Sequence, residues 1–335
     1  MTQRSLMQVQ TCGEAMSDEV HVQALHILNY AMHLDVEWSL TSALLLQLAD
    51  KFEKRGHREG WLTFLLQGLH LSQKYDDRIA TAELHLHIGY LYQLSGNLGD
   101  ACTNYAASAA GFAEVGHDKR RARALNRYGF TVWQQQKPRL ALQLINDAQQ
   151  LVDDNHPEYA NSLLVKGWIY FGDQNWETSL WCFNQSVVIL QASGNQYQLA
   201  CALRDLGAPL QKLMRYEEAI TSYQRAIDLF DKSHNRFQKA VVNMNLGVVY
   251  IMYQQATLAL QHFNSAEPVF RQLHDQEHLG KLYLNQALAY RINGNLSMSE
   301  RLLRASIALF NRLGNSAWKT NAVEELQTTL MQMGS

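Results

Sequence analysis

Large aromatic residues recur at a spacing of about forty residues. Tyr90, Phe130 and Trp168 stand 40 and 38 residues apart, and Trp133 and Phe171 each follow by three residues. Residues three apart share one face of an α-helix. We therefore expect the five rings to form a strip on a surface of repeated helices. Such a strip would bury apolar side chains of a ligand, or its rings would only pack against the neighbouring helix.

Arginine and asparagine side chains flank this strip and continue beyond it along the chain. Arginine can clamp a carboxylate with two hydrogen bonds, and asparagine can pair with both N–H and C=O of an extended peptide. The sequence thus predicts a groove for a protein segment that carries acidic and bulky apolar residues. The candidate groove residues are Tyr90, Arg123, Asn126, Arg127, Phe130, Trp133, Trp168, Phe171, Arg204, Asn245 and Asn285.

Other chemistry has weaker support. The basic run Lys119-Arg120-Arg121-Ala122-Arg123 is more typical of a solvated helix face than of a binding site. His274 and His278 are four apart, but they flank a predicted turn without an evident third metal ligand. The sequence has no P-loop, GxSxG, HExxH or glycine-rich dinucleotide motif. We therefore predict no enzyme activity, catalytic residue, cofactor or metal.

Composition and charge narrow the class of protein. The 335 residues contain 29 Lys and Arg against 31 Asp and Glu, a net charge of −2, which argues against a nucleic-acid binder. No window approaches the roughly 18 uncharged apolar residues of a membrane span, and the N-terminus lacks the apolar core of a signal peptide. We expect a soluble cytoplasmic protein without a membrane partner. Cys12, Cys102, Cys182 and Cys201 have no CxxC spacing and are expected to be reduced.

A forty-residue repeat places the candidate residues. Its reference position is always Gly or Ala, with gaps of 40, 40, 38, 40, 40 and 40, at Ala49, Gly89, Gly129, Gly167, Gly207, Gly247 and Ala287. A large apolar residue stands sixteen positions after each reference residue, and small residues predominate twelve and nineteen positions after it. This internal periodicity predicts a repeat architecture rather than two globular domains.

Each repeat has the pattern of a helical hairpin. Apolar residues recur with helical spacing on both sides of turn signals such as Ser95-Gly96-Asn97, which separates a first helix, A, from a second, B. The small reference residue lets the helices cross closely, and the large residue sixteen later is expected to fill the space between successive hairpins. We predict an all-α solenoid of about seven hairpins with an additional N-terminal helix and a C-terminal capping helix. The A helices would line its concave face.

We expect one solenoid domain over residues 18–335 after a flexible N-terminus, 1–17, because no linker or shift in composition interrupts the repeats. The predicted hairpins span about 40–74, 79–115, 119–152, 157–192, 196–232, 236–272 and 276–312, and the cap helix spans 316–333.

At two places the sequence resembles the tetratricopeptide repeat family. The segments are Asn243-Met244-Asn245-Leu246-Gly247-Val248-Val249-Tyr250 and Tyr216-Glu217-Glu218-Ala219-Ile220-Thr221-Ser222-Tyr223-Gln224-Arg225-Ala226. The resemblance extends over roughly residues 40–333, with a period longer than the usual 34. It is similar to the long-repeat subgroup of bacterial maltose-type regulators, kinesin light chains and spindle-orientation adaptors.

The resemblance implies a right-handed superhelix and a scaffold that binds proteins. In the spindle-orientation relatives, ligand-facing asparagines occupy helix-A positions that Asn245 and Asn285 resemble, whereas His87, Arg127 and Val165 depart from that pattern. A second interpretation is a sensor array, of a kind common in bacterial signalling, that binds a signalling peptide or small effector and acts on a separate output protein or domain. The sequence does not identify the partner or the oligomeric state.

Overall fold

A computed structural model of the protein describes residues 18–33, 37–55 and 60–334, together with Met7. These residues form sixteen α-helices and no β-strand. The predicted flexible segment 1–17 lies outside the described residues apart from Met7. The helices are α1 (Asp18–His33), α2 (Trp38–Arg55), α3 (Trp61–Lys74), α4 (Arg78–Leu94), α5 (Leu98–Glu114), α6 (Asp118–Gln134), α7 (Pro138–Gln149), α8 (Pro157–Gly172), α9 (Trp176–Ser193), α10 (Gln196–Lys212), α11 (Tyr216–Lys232), α12 (Arg236–Met252), α13 (Ala256–Gln272), α14 (Gln276–Ile292), α15 (Leu296–Arg312) and α16 (Ser316–Gly334).

The helices pair into seven successive hairpins, α2–α3 to α14–α15, and the A helix of each hairpin carries the reference residue. The all-α class, the hairpins, the N-terminal helix and the C-terminal helix are therefore confirmed. Contacts divide the chain into two compact units, Met1–Asn195 and Gln196–Ser335. The first holds α1 and hairpins 1–4, and the second holds hairpins 5–7 and α16. The expectation of one domain over 18–335 stays a prediction.

The core of each central hairpin is one glycine packed against one large side chain. At Gly247, a Cβ atom would lie 2.4 Å from Cε1 of Phe263, and at Gly207 it would lie 2.2 Å from Cζ of Tyr223. Gly167 is similarly covered by Phe183. The large residue thus packs against the reference glycine of its own hairpin. The sequence prediction placed this side chain only between hairpins and missed that contact.

The sizes of the two partners are complementary along the chain. Where the reference residue is Gly, the residue sixteen later is Tyr or Phe in four of five hairpins and Ile145 in the other, and where it is Ala, as at Ala49 and Ala287, it is Leu65 or Leu303, which are smaller than Tyr and Phe. The space between the helices therefore stays filled in every hairpin. The seven large residues, Leu65, Tyr105, Ile145, Phe183, Tyr223, Phe263 and Leu303, are all 2% exposed or less.

The turns determine where the helices end, and the B helix of hairpin 3 is shorter than the others. Most turns contain one residue with a positive φ, such as Gly96 at 79° or Gln136 at 62°, which ends the preceding helix in a left-handed cap. In hairpin 3, α7 begins with Pro138 and ends at Gln149. It is shorter than the B helices around it, and residues 150–152, expected to be helical, form a turn. The shorter helix is partly offset by a longer connection, 150–156, and the gap in the repeat falls to 38 residues.

We expect Gly247→Ala to lower the free energy of unfolding by about 1–3 kcal/mol, because the new Cβ would collide with the Phe263 ring. Adding Phe263→Leu should recover part of that loss, since Leu303 already lies sixteen residues after an alanine. Urea unfolding of the two single variants and the double variant, followed by circular dichroism, measures the coupling. Strictly additive losses would contradict the size-complementarity argument.

Candidate functional site

Five aromatic rings form a continuous cluster on hairpins 3 and 4. The centroid distances are 5.4 Å for Phe130 to Trp133, 6.4 Å for Trp133 to Trp168 and 5.5 Å for Trp168 to Phe171. Trp176, at the start of α9, extends the cluster with its ring 4.8 Å from Phe171. We call these five residues the aromatic cluster. All five are only partly buried, so each ring keeps some surface exposed to solvent.

The aromatic cluster packs against the core of hairpin 4 through Trp168. Trp168 follows the reference glycine Gly167 directly, and its ring meets the core ring of Phe183 edge-on at 5.5 Å. Phe183 itself is fully buried. Packing therefore fixes one side of Trp168, while the ring remains part of the surface. This geometry agrees with both interpretations of the aromatic strip: the rings pack on their neighbours, and they keep surface that a ligand can contact.

Tyr90 lies beside this region rather than within the cluster. The guanidinium carbon of Arg127 sits 4.7 Å from the centroid of the Tyr90 ring, a cation–π contact between α4 and α6. Arg127 is exposed and Tyr90 is half-buried. The pair therefore presents a planar cation on the A-helix surface of the first unit.

Arg123 is engaged within the protein. Its guanidinium pairs with Glu83, a nearly buried carboxylate on α4, and Arg120 lies 3.3 Å from the same carboxylate. Two cations therefore share one anion, which leaves a net positive charge where the basic run begins α6. Glu83 and Arg123 occupy the same position of consecutive repeats, 40 residues apart.

Asn126 is also used internally. It is 4% exposed, its Nδ2 donates to the carbonyl oxygen of Glu158 at 2.9 Å, and its Oδ1 accepts from Oγ of Ser162 at 2.7 Å. The amide links α6 to α8. Its structural role differs from the peptide contact expected from the sequence, and little of its surface is left for a ligand.

In the second unit, Arg204 is held by its neighbours. Its Nε donates to Oδ1 of Asp205 at 2.8 Å and its Nη1 donates to Oε1 of Gln238 at 2.6 Å. Asp205 is 8% exposed, so this carboxylate is nearly buried beside its cation. Arg291, another A-helix arginine, is likewise paired, with Glu325 of α16 at 2.7 Å.

Asn245 and Asn285 present a different environment. They occupy equivalent positions on α12 and α14, 40 residues apart, and both are half-buried. Neither side-chain amide forms a hydrogen bond with another described residue. Each therefore keeps two N–H donors and a carbonyl acceptor for a ligand or for water.

The weaker candidates have ordinary structural roles. Nδ1 of His278 lies 2.8 Å from Oδ2 of Asp275, and its ring stacks on Phe270. Among the described residues, no group of three His, Cys, Asp or Glu side chains is arranged to hold a metal ion. Burial raises the pKa of the Cys182 thiol to about 11, so it is protonated at neutral pH. Cys102 and Cys201 also form no disulfide, and Cys12 lies outside the described residues.

An open cavity in the first unit was not anticipated from the sequence. It has a volume of about 790 Å³ and lies beside the A-to-B turns of hairpins 2, 3 and 4. Its lining residues are Gln93, Gly96, Leu98, Trp133, Gln134, Gln136, Pro138, Gly172 and Asp173. Only Trp133 was a predicted site residue. The sequence signal for this cavity was the repeat itself, since residues about forty apart, such as Gln93 and Gln134, lie in successive turns and can meet.

The fold and these surfaces define a helical-hairpin repeat protein. Residues 198–272 match the family model of the tetratricopeptide repeat, which confirms the predicted resemblance in the second unit. The assignment to the long-repeat subgroup stays a prediction. No curated protein matches the sequence significantly. Within the described residues, no helix has the length and apolar character needed to cross a membrane.

Solved structures share the fold at low sequence identity. A Rap protein complexed with competence and sporulation factor is 12% identical, with a TM-score of 0.61 over 99% of this chain and 98% of that one. A signal transduction ATPase with a tetratricopeptide repeat sensor, from Pyrococcus horikoshii, is 11% identical, with a TM-score of 0.63 over 96% of this chain and 50% of that one. The Cut9–Hcn1 hetero-tetramer of the APC/C is 17% identical, with a TM-score of 0.58 over 98% of this chain and 62% of that one. At these identities the likeness concerns the fold alone.

We expect Asn126→Ala to destabilise the protein by about 1–3 kcal/mol, because it removes the two buried hydrogen bonds that join Asn126 to Glu158 and Ser162. Ser162 Oγ keeps its other bond, to the carbonyl oxygen of Glu158 at 3.1 Å. Asn285→Ala is the matched control and should change stability by less than about 0.5 kcal/mol, since its amide bonds to no described residue. Urea unfolding followed by circular dichroism compares the two. Equal losses would show that the two asparagines do not differ in structural role.

Proposed function

We propose that the protein is a non-enzymatic interaction module that binds a segment of a partner protein on the surface of its A helices. The observation that carries this proposal is the aromatic cluster. Five large rings in mutual contact remain partly exposed on hairpins 3 and 4. Aromatic groups of this kind supply most of the binding energy in many protein interfaces. Bulky apolar side chains of the partner would pack on this surface.

The asparagine pair of the second unit supports a peptide as the ligand. Asn245 and Asn285 repeat the same polar group at the same position of two consecutive A helices. An extended backbone offers alternating donors and acceptors, which such amides match regardless of the partner's side chains. The two asparagines would hold the backbone of such a segment.

Fewer arginines are available to bind an acidic partner than the sequence predicted. Arg123, Arg204 and Arg291 are each paired with a carboxylate of the protein itself. Arg127 is the exposed guanidinium among the predicted groove arginines, and it stacks on Tyr90. We therefore infer a partner segment dominated by bulky apolar residues, with an acidic residue placed to reach Arg127.

A sensor is the second candidate function. The cavity of about 790 Å³ favours it, because a cavity of that size can accommodate a small effector. Two proteins of similar fold suggest the same class, a Rap protein complexed with competence and sporulation factor and an ATPase whose repeats are described as a sensor. A separate output protein or domain would then transmit the signal.

A photo-crosslinking experiment tests the leading proposal. The photoreactive residue p-benzoylphenylalanine would replace Trp168 on α8 in cells that naturally contain the protein. Replacement of Trp181 on α9 of the same hairpin, which is 58% exposed, is the matched control. We expect a crosslinked partner protein from position 168 and none from position 181. The opposite result would place the interaction on the B helices.

With the crosslinked segment in hand, Trp168→Ala should weaken its binding by about 1–3 kcal/mol, because burial of one aromatic face is lost. Trp181→Ala should leave the affinity unchanged. Circular dichroism and thermal unfolding of both variants check that the fold is intact, since Trp168 also contacts Phe183. If a folded Trp168→Ala variant binds with wild-type affinity, Trp168 only packs within the protein and does not contact the partner.

A further inference from the structure

Three arginines of α6 lie on one face of the helix. Arg120, Arg123 and Arg127 are spaced by three and four residues, so their side chains project toward the same side. That side faces α4, because the first two pair with Glu83 and the third stacks on Tyr90. We call the three residues the arginine stripe. The proposed function uses only Arg127 of this stripe.

Glu83 holds the first two guanidiniums side by side. Nη1 of Arg120 lies 3.3 Å from Oε1 of the carboxylate, and Nη2 of Arg123 donates to Oε2 of the same group. The side chain of Glu83 is 11% exposed, whereas those of Arg120 and Arg123 are 44% and 37% exposed. The protein therefore covers the carboxylate and leaves both cations in contact with solvent.

This pairing leaves most of the guanidinium donors unused. Each guanidinium has five N–H groups. Arg120 forms no further hydrogen bond or ion pair with a described residue, and Arg123 donates to Glu83 alone among them. A second oxyanion can therefore bridge the two guanidiniums without displacing Glu83.

The arginine stripe carries more positive charge than its surroundings balance. Three guanidiniums face the single carboxylate of Glu83, which leaves an excess of two positive charges. Glu158 lies on the α8 side of α6, where it accepts from Nδ2 of Asn126 at 3.2 Å. Lys119 and Arg121, also at the start of α6, outweigh that one further anion. The face therefore favours a ligand with more than one negative charge.

We propose that the arginine stripe binds the dianionic group of a phosphate monoester. The two negative charges match the excess of the stripe, and the three terminal oxygens can accept from two guanidiniums at once. A carboxylate balances only one charge and offers only two oxygens. The group would come from a phosphorylated side chain of a partner segment, a source that rests on the proposed function, or from a small phosphate ester, which does not.

Titration of the whole protein with ethyl phosphate tests the site without any partner protein. The Nε–Hε signals of the arginines in ¹⁵N NMR report which guanidiniums meet the anion, and we expect shifts at Arg120 and Arg123. Ethyl phosphate should bind about fivefold more tightly than diethyl phosphate or propionate, which carry one charge. Added salt should weaken binding, because the arginines are partly exposed. Equal binding of ethyl phosphate and propionate would overturn the proposal.

Arg120→Gln and Arg127→Gln test the stripe, and Arg121→Gln is the matched control. The control removes the same charge from the same helix, but residue 121 lies about 100° around the helix from residue 120. Each stripe variant should weaken ethyl phosphate binding about three- to fivefold, and the control should weaken it less than about twofold. Arg120→Gln keeps the pair of Arg123 with Glu83, and circular dichroism checks its fold. Equal losses in all three variants would indicate attraction to the whole charged helix and contradict the site.

The source of the phosphate is decided with peptides. Phe130 follows Arg127 by three residues on the same face, so a phosphate on the stripe would lie next to the aromatic cluster. The probes are the acetylated, amidated peptides pSer-Gly-Gly-Trp and Trp-Gly-Gly-pSer. If either binds about tenfold more tightly than ethyl phosphate, and Phe130→Ala removes the gain, the stripe binds phosphorylated partner segments. If both bind only as tightly as ethyl phosphate, the stripe binds small phosphate esters, and the aromatic cluster alone has failed its test.

Discussion

The structure depends on the contact between a reference glycine and the large side chain sixteen residues later. Gly207 with Tyr223 and Gly247 with Phe263 leave no room for a Cβ atom, so each pair fixes how closely helices A and B approach. This contact uses one face of helix A. Trp168, one residue after Gly167, touches Phe183 on one side and keeps part of its ring exposed, so the repeat core determines which residues are available for binding.

The same geometry explains why several candidate residues are not free. Within the first unit, successive A helices lie side by side, so residues between 32 and 40 positions apart meet, as Glu83 meets Arg123 and Asn126 meets Glu158. Polar groups on this surface therefore join neighbouring hairpins as readily as they could bind a ligand. A buried carboxylate such as Glu83 requires its arginines, because removal of one partner leaves an uncompensated charge.

Period and residue size were enough to predict the hairpins, their turns and the buried side of each helix. The same information could not separate Asn126 from Asn245, because both are asparagines on A helices. The difference lies in the neighbouring repeat, where Ser162 and Glu158 complete a network around Asn126. The turn cavity was missed for a related reason. It is built from helix ends, where sequence patterns define boundaries least well.

Trp133 belongs both to the aromatic cluster and to the lining of the turn cavity. Its ring contacts Phe130 and Trp168 in the aromatic cluster, while its indole edge lies beside Gly172 in the cavity. A partner side chain packed on the cluster would therefore contact a ring that also lines the cavity.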